Sequence, residues 1–215
     1  MARTARAVRL SGLIVVALLV VGCATTPTRG GAARSSLKIL VMPREGSADI
    51  ELMVTRELGV MISMLKDAGL TPVVGSPSGN PFRGRTGTVN SDLKLAEVRV
   101  ADYAGFLMPC MAVEPLAPIP PEAVRIVTEA AAAGKPIAAQ RNSMYVLSKA
   151  GLLKGRKYAF LAPVFTEGIY VGTGVVQDGN IITSAMSPKY ESSAFPSGTE
   201  ELTRMLIQSL PGSAR

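Results

Sequence analysis

The chain has no histidine among its 215 residues. That absence excludes Ser-His and Cys-His nucleophile activation, imidazole acid/base chemistry and His-ligated metals. Its two cysteines, Cys23 and Cys110, are too few for a disulfide framework. Aromatic residues are scarce, at 5%, and they do not interleave with the scattered basic residues, so nucleic-acid binding is not expected. No metal-ligand cluster or Walker-type loop occurs, and Gly172-Thr173-Gly174 lacks the strand-to-helix context of a dinucleotide site. No cofactor or metal is therefore expected. What the chain does have is 47% hydrophobic residues, enough for a substantial core in a domain of this length.

The N-terminus reads as an address. Arg3, Arg6 and Arg9 precede the apolar run 10–21, LSGLIVVALLVV, which is too short to span a bilayer comfortably but fits the core of a signal peptide. Val20-Val21-Gly22-Cys23 resembles the lipobox of bacterial lipoproteins, in which cleavage exposes a lipid-modified cysteine; the alternative is an ordinary secretory signal with an incidental Cys23. Removing residues 1–22 lowers the formal charge from +7 to +4. Residues 23–36 are small, polar and breaker-rich, as a flexible tether requires. The expected organisation is a signal peptide over 1–22, a lipidated tether over 23–36 and one domain over 37–212. This places the protein in the bacterial cell envelope, held on a membrane through Cys23 and facing the periplasm. Ala24 after the cysteine is compatible with the outer membrane. With Cys23 acylated, Cys110 is the only thiol left and no intramolecular disulfide forms.

From residue 37 onward, strand and helix patterns alternate. Leu37 to Met42 reads as a buried strand, 50–68 as a helix with Leu52, Val60, Met61, Met64 and Leu65 inward and Gly69 after its end, and 71–74 as the next strand. That βαβ unit favours a parallel sheet. Strands follow at 106–108 and 136–139, helices at 121–133, 142–150 and 200–210, and a hairpin over 175–184 turning at Asp178-Gly179-Asn180. The fold class is α/β, a flavodoxin-like three-layer sandwich with a mostly parallel central sheet. Within it, 130–155 forms helix end, buried strand, sharp turn and second helix. Gln140, Arg141 and Asn142 occupy the turn.

Several segments in order carry a resemblance: Lys38 to Met42, Asp49-Ile50-Glu51-Leu52, Asp102 to Pro109, Gly134-Lys135-Pro136-Ile137-Ala138-Ala139, Ala150 to Gly155 and Asp178 to Ser184. Together they resemble the ThiJ/PfpI superfamily, related to class I glutamine amidotransferases. The resemblance implies a domain that is frequently a homodimer, with amidase or protease, glyoxalase-like and chaperone-like activities. It also implies a nucleophilic cysteine on the elbow after the Gly-Lys-Pro strand, a glutamate near the first strand and an oxyanion site of Pro-Gly-Gly amides. Aligned without gaps, this chain has Arg141 at the cysteine, Ala48 at the glutamate and Pro109-Cys110-Met111 at the oxyanion turn.

An arginine offers donors only and stays protonated, so it cannot replace a thiolate. The expectation is a domain that has lost both the elbow cysteine and its glutamate partner. It would be a pseudoenzyme, a noncatalytic small-anion-binding or stress-associated protein. Arg141 before a helix start would hold a carboxylate or phosphate together with Asn142 and Ser143, or else pair with Asp49 or Glu51 as a structural cation. Ser143, lacking an activating base, is expected to cap the helix. The rival reading is a thiol-dependent enzyme, an amidase, hydrolase or glyoxalase-like protein, using a relocated Cys110 whose pKa is lowered by Arg141. Against it stands an unreactive thiol buried in the core.

Overall fold

The computed structural model describes residues 37–212. The expected signal peptide over 1–22 and the tether over 23–36, Cys23 included, lie outside the described residues.

The chain begins with β1 (Lys38–Val41), then a helix in three parts: α1 (Ile50–Met53), a π-helical turn (Val54–Leu58) and α2 (Gly59–Asp67). Next come β2 (Thr71–Ser76), the short strands β3 (Phe82–Arg83), β4 (Thr88–Val89) and β5 (Leu93–Lys94), then β6 (Gly105–Met108) and α3 (Pro121–Ala132). β7 (Ile137–Gln140) leads through a 3-10 turn (Arg141–Ser143) into α4 (Met144–Lys149). The rest comprises β8 (Lys157–Tyr158), β9 (Ile169–Tyr170), the hairpin β10 (Val175–Asp178) and β11 (Ile181–Ser184), a 3-10 turn (Pro188–Tyr190) and α5 (Thr199–Gln208).

Seven strands form the central sheet in the order β10-β11-β7-β6-β1-β2-β5, all pairs parallel except β10 with β11. Because side chains alternate along a strand, each strand feeds two cores. Ile39 and Val41 face Met61, Leu65, Leu202 and Leu206 of α2 and α5, while Leu40 and Met42 face Ile126, Val127, Met144 and Leu147 of α3 and α4. The result is the expected α/β flavodoxin-like sandwich.

The expected helices and hairpin are present, with two informative shifts. The strand before the elbow runs one residue further, so Gln140 is its last residue and is fully buried, its amide donating to Met186 O at 2.5 Å and Thr199 Oγ1 at 3.0 Å. The helix after residue 53 widens into a π turn in which the Gly59 N–H reaches back to Val54 O. A Cβ on Gly59 would stand 2.7 Å from that oxygen, which is why glycine occupies the position. The β1, β6 and β7 strands end side by side, and the loops after them form the candidate site.

Candidate functional site

The loop after β6 packs directly on the elbow after β7. Ser143 Oγ donates to Pro109 O at 2.6 Å, and Asn142 Nδ2 donates to Val113 O at 2.6 Å. Ser143 makes no side-chain cap for α4; its hydroxyl closes the loop instead, which corrects the capping expectation. Both side chains are buried and already committed to protein partners, so neither is free to hold a ligand in this arrangement.

The elbow backbone is that of a strained turn. Arg141 has φ 44°, a left-handed conformation that costs a non-glycine residue about 1 to 2 kcal/mol. Met111 and Ala112, at φ 52° and 46°, share that strain in the facing loop. The Arg141 side chain is partly buried, its guanidinium carbon 3.5 Å from the centroid of the Tyr190 ring. Its Nε and Nη1 are buried without a hydrogen-bond acceptor. The structural alternative, an ion pair with Asp49 or Glu51, does not occur: Asp49 pairs with Lys189, and Glu51 accepts from the backbone of Arg85 and Thr86 and from the Thr86 hydroxyl. Those bonds, led by the Thr86 hydroxyl, hold Glu51 below the usual carboxylate range.

Cys110 does lie against the elbow. The Asn142 N–H lies near its sulfur, as does the Ser187 hydroxyl, which is buried and has no hydrogen-bond partner. The thiol is 0% exposed, and burial followed by the charge of Glu57 pushes it up to about 11. This corrects the expectation of a thiol acidified by Arg141, because desolvation outweighs the hydrogen bonds that favour thiolate.

Glu57 is a buried carboxylate of the site that the sequence motifs did not single out. It is 0% exposed on the π turn, with Oε1 accepting from Cys110 N at 3.0 Å and Oε2 from Met111 N at 2.8 Å. Burial raises it to about 7, against the two amides that favour its ionised form. Ala48, by contrast, is exposed and lies with Asp49 and Glu51 along a surface groove. A carboxylate is thus present beneath the elbow, at a place the ungapped alignment through Ala48 does not indicate. Its signal was in the sequence: Glu57 stands four residues from both Met53 and Met61, inside the apolar stripe of the helix. Its effect is to engage the two turn amides that an oxyanion would need.

Arg44, in the loop that follows β1, completes the cluster. It is buried, and Nη1 donates to Asn142 O at 3.3 Å while Nη2 donates to Ala117 O at 3.1 Å. The structure therefore assembles Arg44, Glu57, Cys110, Asn142 and Ser143, and leaves Ala48 and Glu51 outside. Among the described residues no group of three or more Asp, Glu, His or Cys could hold a metal ion.

Comparison with known proteins agrees with this architecture. Residues 37–194 match the model of the DJ-1/PfpI family. An uncharacterized protein of Archaeoglobus fulgidus is 30% identical over 156 residues, covering 70% of this chain and 89% of the relative. A protein of Thermococcus kodakarensis named as a deglycase is 27% identical over 154 residues, covering 69% and 89%. Among solved structures, a two-domain protein from Anabaena variabilis with DJ-1/ThiJ/PfpI-like and ferritin-like domains superposes with a TM-score of 0.58 at 25% identity over 69% of this chain. This chain spans 45% of that protein's length.

Proposed function

We propose a function from one premise, that the chain belongs to the DJ-1/PfpI family: it is a noncatalytic member whose elbow binds a small oxyanion through Arg141. The observation that carries this reading is the guanidinium on the strained elbow, with Nε and Nη1 lacking any acceptor. A permanent cation with unpaired donors is stabilised by an anion far more than by a neutral ligand. Both nitrogens are buried in this arrangement, and the Tyr190 ring stacked 3.5 Å from the guanidinium is the neighbour that would have to shift for an anion to reach them.

Catalysis of the deglycase kind named for the Thermococcus relative has little support in this chain. A nucleophile needs an activated, accessible atom. Arg141 supplies none, Cys110 is buried with its proton held tightly, and the Cys110 and Met111 amides are taken by Glu57. The rival Cys110 enzyme gains from the sulfur's position at the elbow and loses on exposure and acidity. We further propose that the domain is held at the bacterial envelope by lipid on Cys23, a reading supported by the three arginines, the apolar run 10–21 and the lipobox-like Val20 to Cys23.

Thermal unfolding of the full chain in sulfate, phosphate or acetate at constant ionic strength tests the elbow reading. The expected result is stabilisation that disappears in Arg141→Ala. Equal stabilisation of both proteins would remove Arg141 from the account.

A further inference from the structure

A second feature lies beside the elbow and does not involve Arg141 or Tyr190. A cavity of about 280 Å³ opens on the α3 and α4 side of the sheet, where Arg44 meets Met42, Leu95, Met108, Ala123 and Val146. Arg44 is 6% exposed. Its two hydrogen bonds go to neutral carbonyls, those of Asn142 and Ala117, and among the described residues it forms no ion pair. Burial lowers its pKa, and the group that acts on it electrostatically is Cys110, whose proton is retained at neutral pH. Glu45 also lines the cavity, but it is exposed and accepts from the Ser78 amide at 3.1 Å and from the Ser78 hydroxyl.

A guanidinium does not shed its proton to escape burial, and with only carbonyl acceptors and no ion pair among the described residues its charge would be stabilised by an anion in the cavity. Apart from Ser143, whose hydroxyl is committed to Pro109 O, the remaining walls are apolar, which calls for a ligand with one anionic end and a hydrophobic body. An apolar cavity of about 150 Å³ accepts benzene, so this one has room for a ring-sized body and a carboxylate. A dianionic phosphate would be desolvated at greater cost against the same walls. We propose that this cavity binds a small monocarboxylic acid with an apolar body, its carboxylate paired with Arg44. The inference is independent of the Arg141 reading.

Calorimetric titration of the full chain with benzoate tests it. Benzoate is expected to bind, with benzamide, which lacks the charge, and acetate, which lacks the body, each weaker by about tenfold or more. Arg44→Met keeps the apolar stem and is expected to lose benzoate affinity by a similar factor. Val146→Phe fills the cavity and should abolish binding, while Arg141→Met should leave it within about twofold. If either variant fails to fold, the benzamide and acetate contrast on the unaltered chain decides. No benzoate binding, equal binding of benzamide, or undiminished binding in folded Arg44→Met would overturn the inference. Loss in Arg141→Met with retention in Arg44→Met would overturn it while leaving the elbow proposal intact.

Discussion

At Arg141 the backbone and the side chain serve different ends. The left-handed φ of 44° keeps the sharp elbow, and the side chain brings a cation where the family resemblance places a thiol. The place of Arg141 on the turn was legible in the sequence, because the Gly134 to Ala139 strand fixes where the turn falls. The state of Cys110 was not, since burial and hydrogen bonding depend on the loop 109–113 folding onto the elbow. Cys110 is expected to resist iodoacetamide near neutral pH and to react at a rate that follows unfolding as urea is added; rapid labelling of folded protein would revive the thiol-enzyme reading. Glu57 was legible only as an anomaly, a carboxylate in an apolar stripe. Glu57→Gln keeps the shape but leaves one of the Cys110 and Met111 amides facing a donor, so equilibrium denaturation should show a loss of about 1 to 3 kcal/mol.

The element that brings Glu57 under the elbow is the interrupted helix between β1 and β2. Its apolar periodicity announced a helix over 50–68, and the structure agrees on its extent. The π turn within it left no mark in the spacing of Met53, Val54, Leu58, Met61 and Leu65. An extra residue in one helical turn is held by a local backbone contact, which periodicity does not encode. Gly59 has an ordinary helical φ of −62°, where alanine usually stabilises by about 1 kcal/mol. Here the Cβ would meet Val54 O at 2.7 Å, so Gly59→Ala should destabilise instead, and its unfolding midpoint should fall. A rise would mean that the π turn relaxes to an α-helix at no cost. The two-residue strands β3, β4, β5, β8 and β9 escaped the sequence reading because two residues carry no alternation to detect.

For the whole molecule, the alternation of strands and helices with short connections sufficed to specify the sandwich and its parallel sheet, because few topologies satisfy both. Its pH dependence follows from Glu57. The carboxyl moves from its ordinary 4.5 to about 7 on folding, so between those values the folded state holds a proton that the unfolded state has released. Stability from this group is therefore fully present below about 4.5, falls as pH rises and levels off above about 7. Urea midpoints at pH 5 and 7.5 should show the decline, and Glu57→Gln should flatten it. The proposed attachment to the envelope has its own test: Cys23→Ser should move the mature-sized protein out of the membrane fraction or leave it unprocessed, with the wild type retained there. The elbow itself is tested most directly by titrating the full chain with sulfate, an anion with no hydrophobic body, in a calorimeter at fixed ionic strength. The account predicts one binding event per chain that is lost in Arg141→Met; sulfate binding unchanged in that variant, or absent from the wild type, would contradict it.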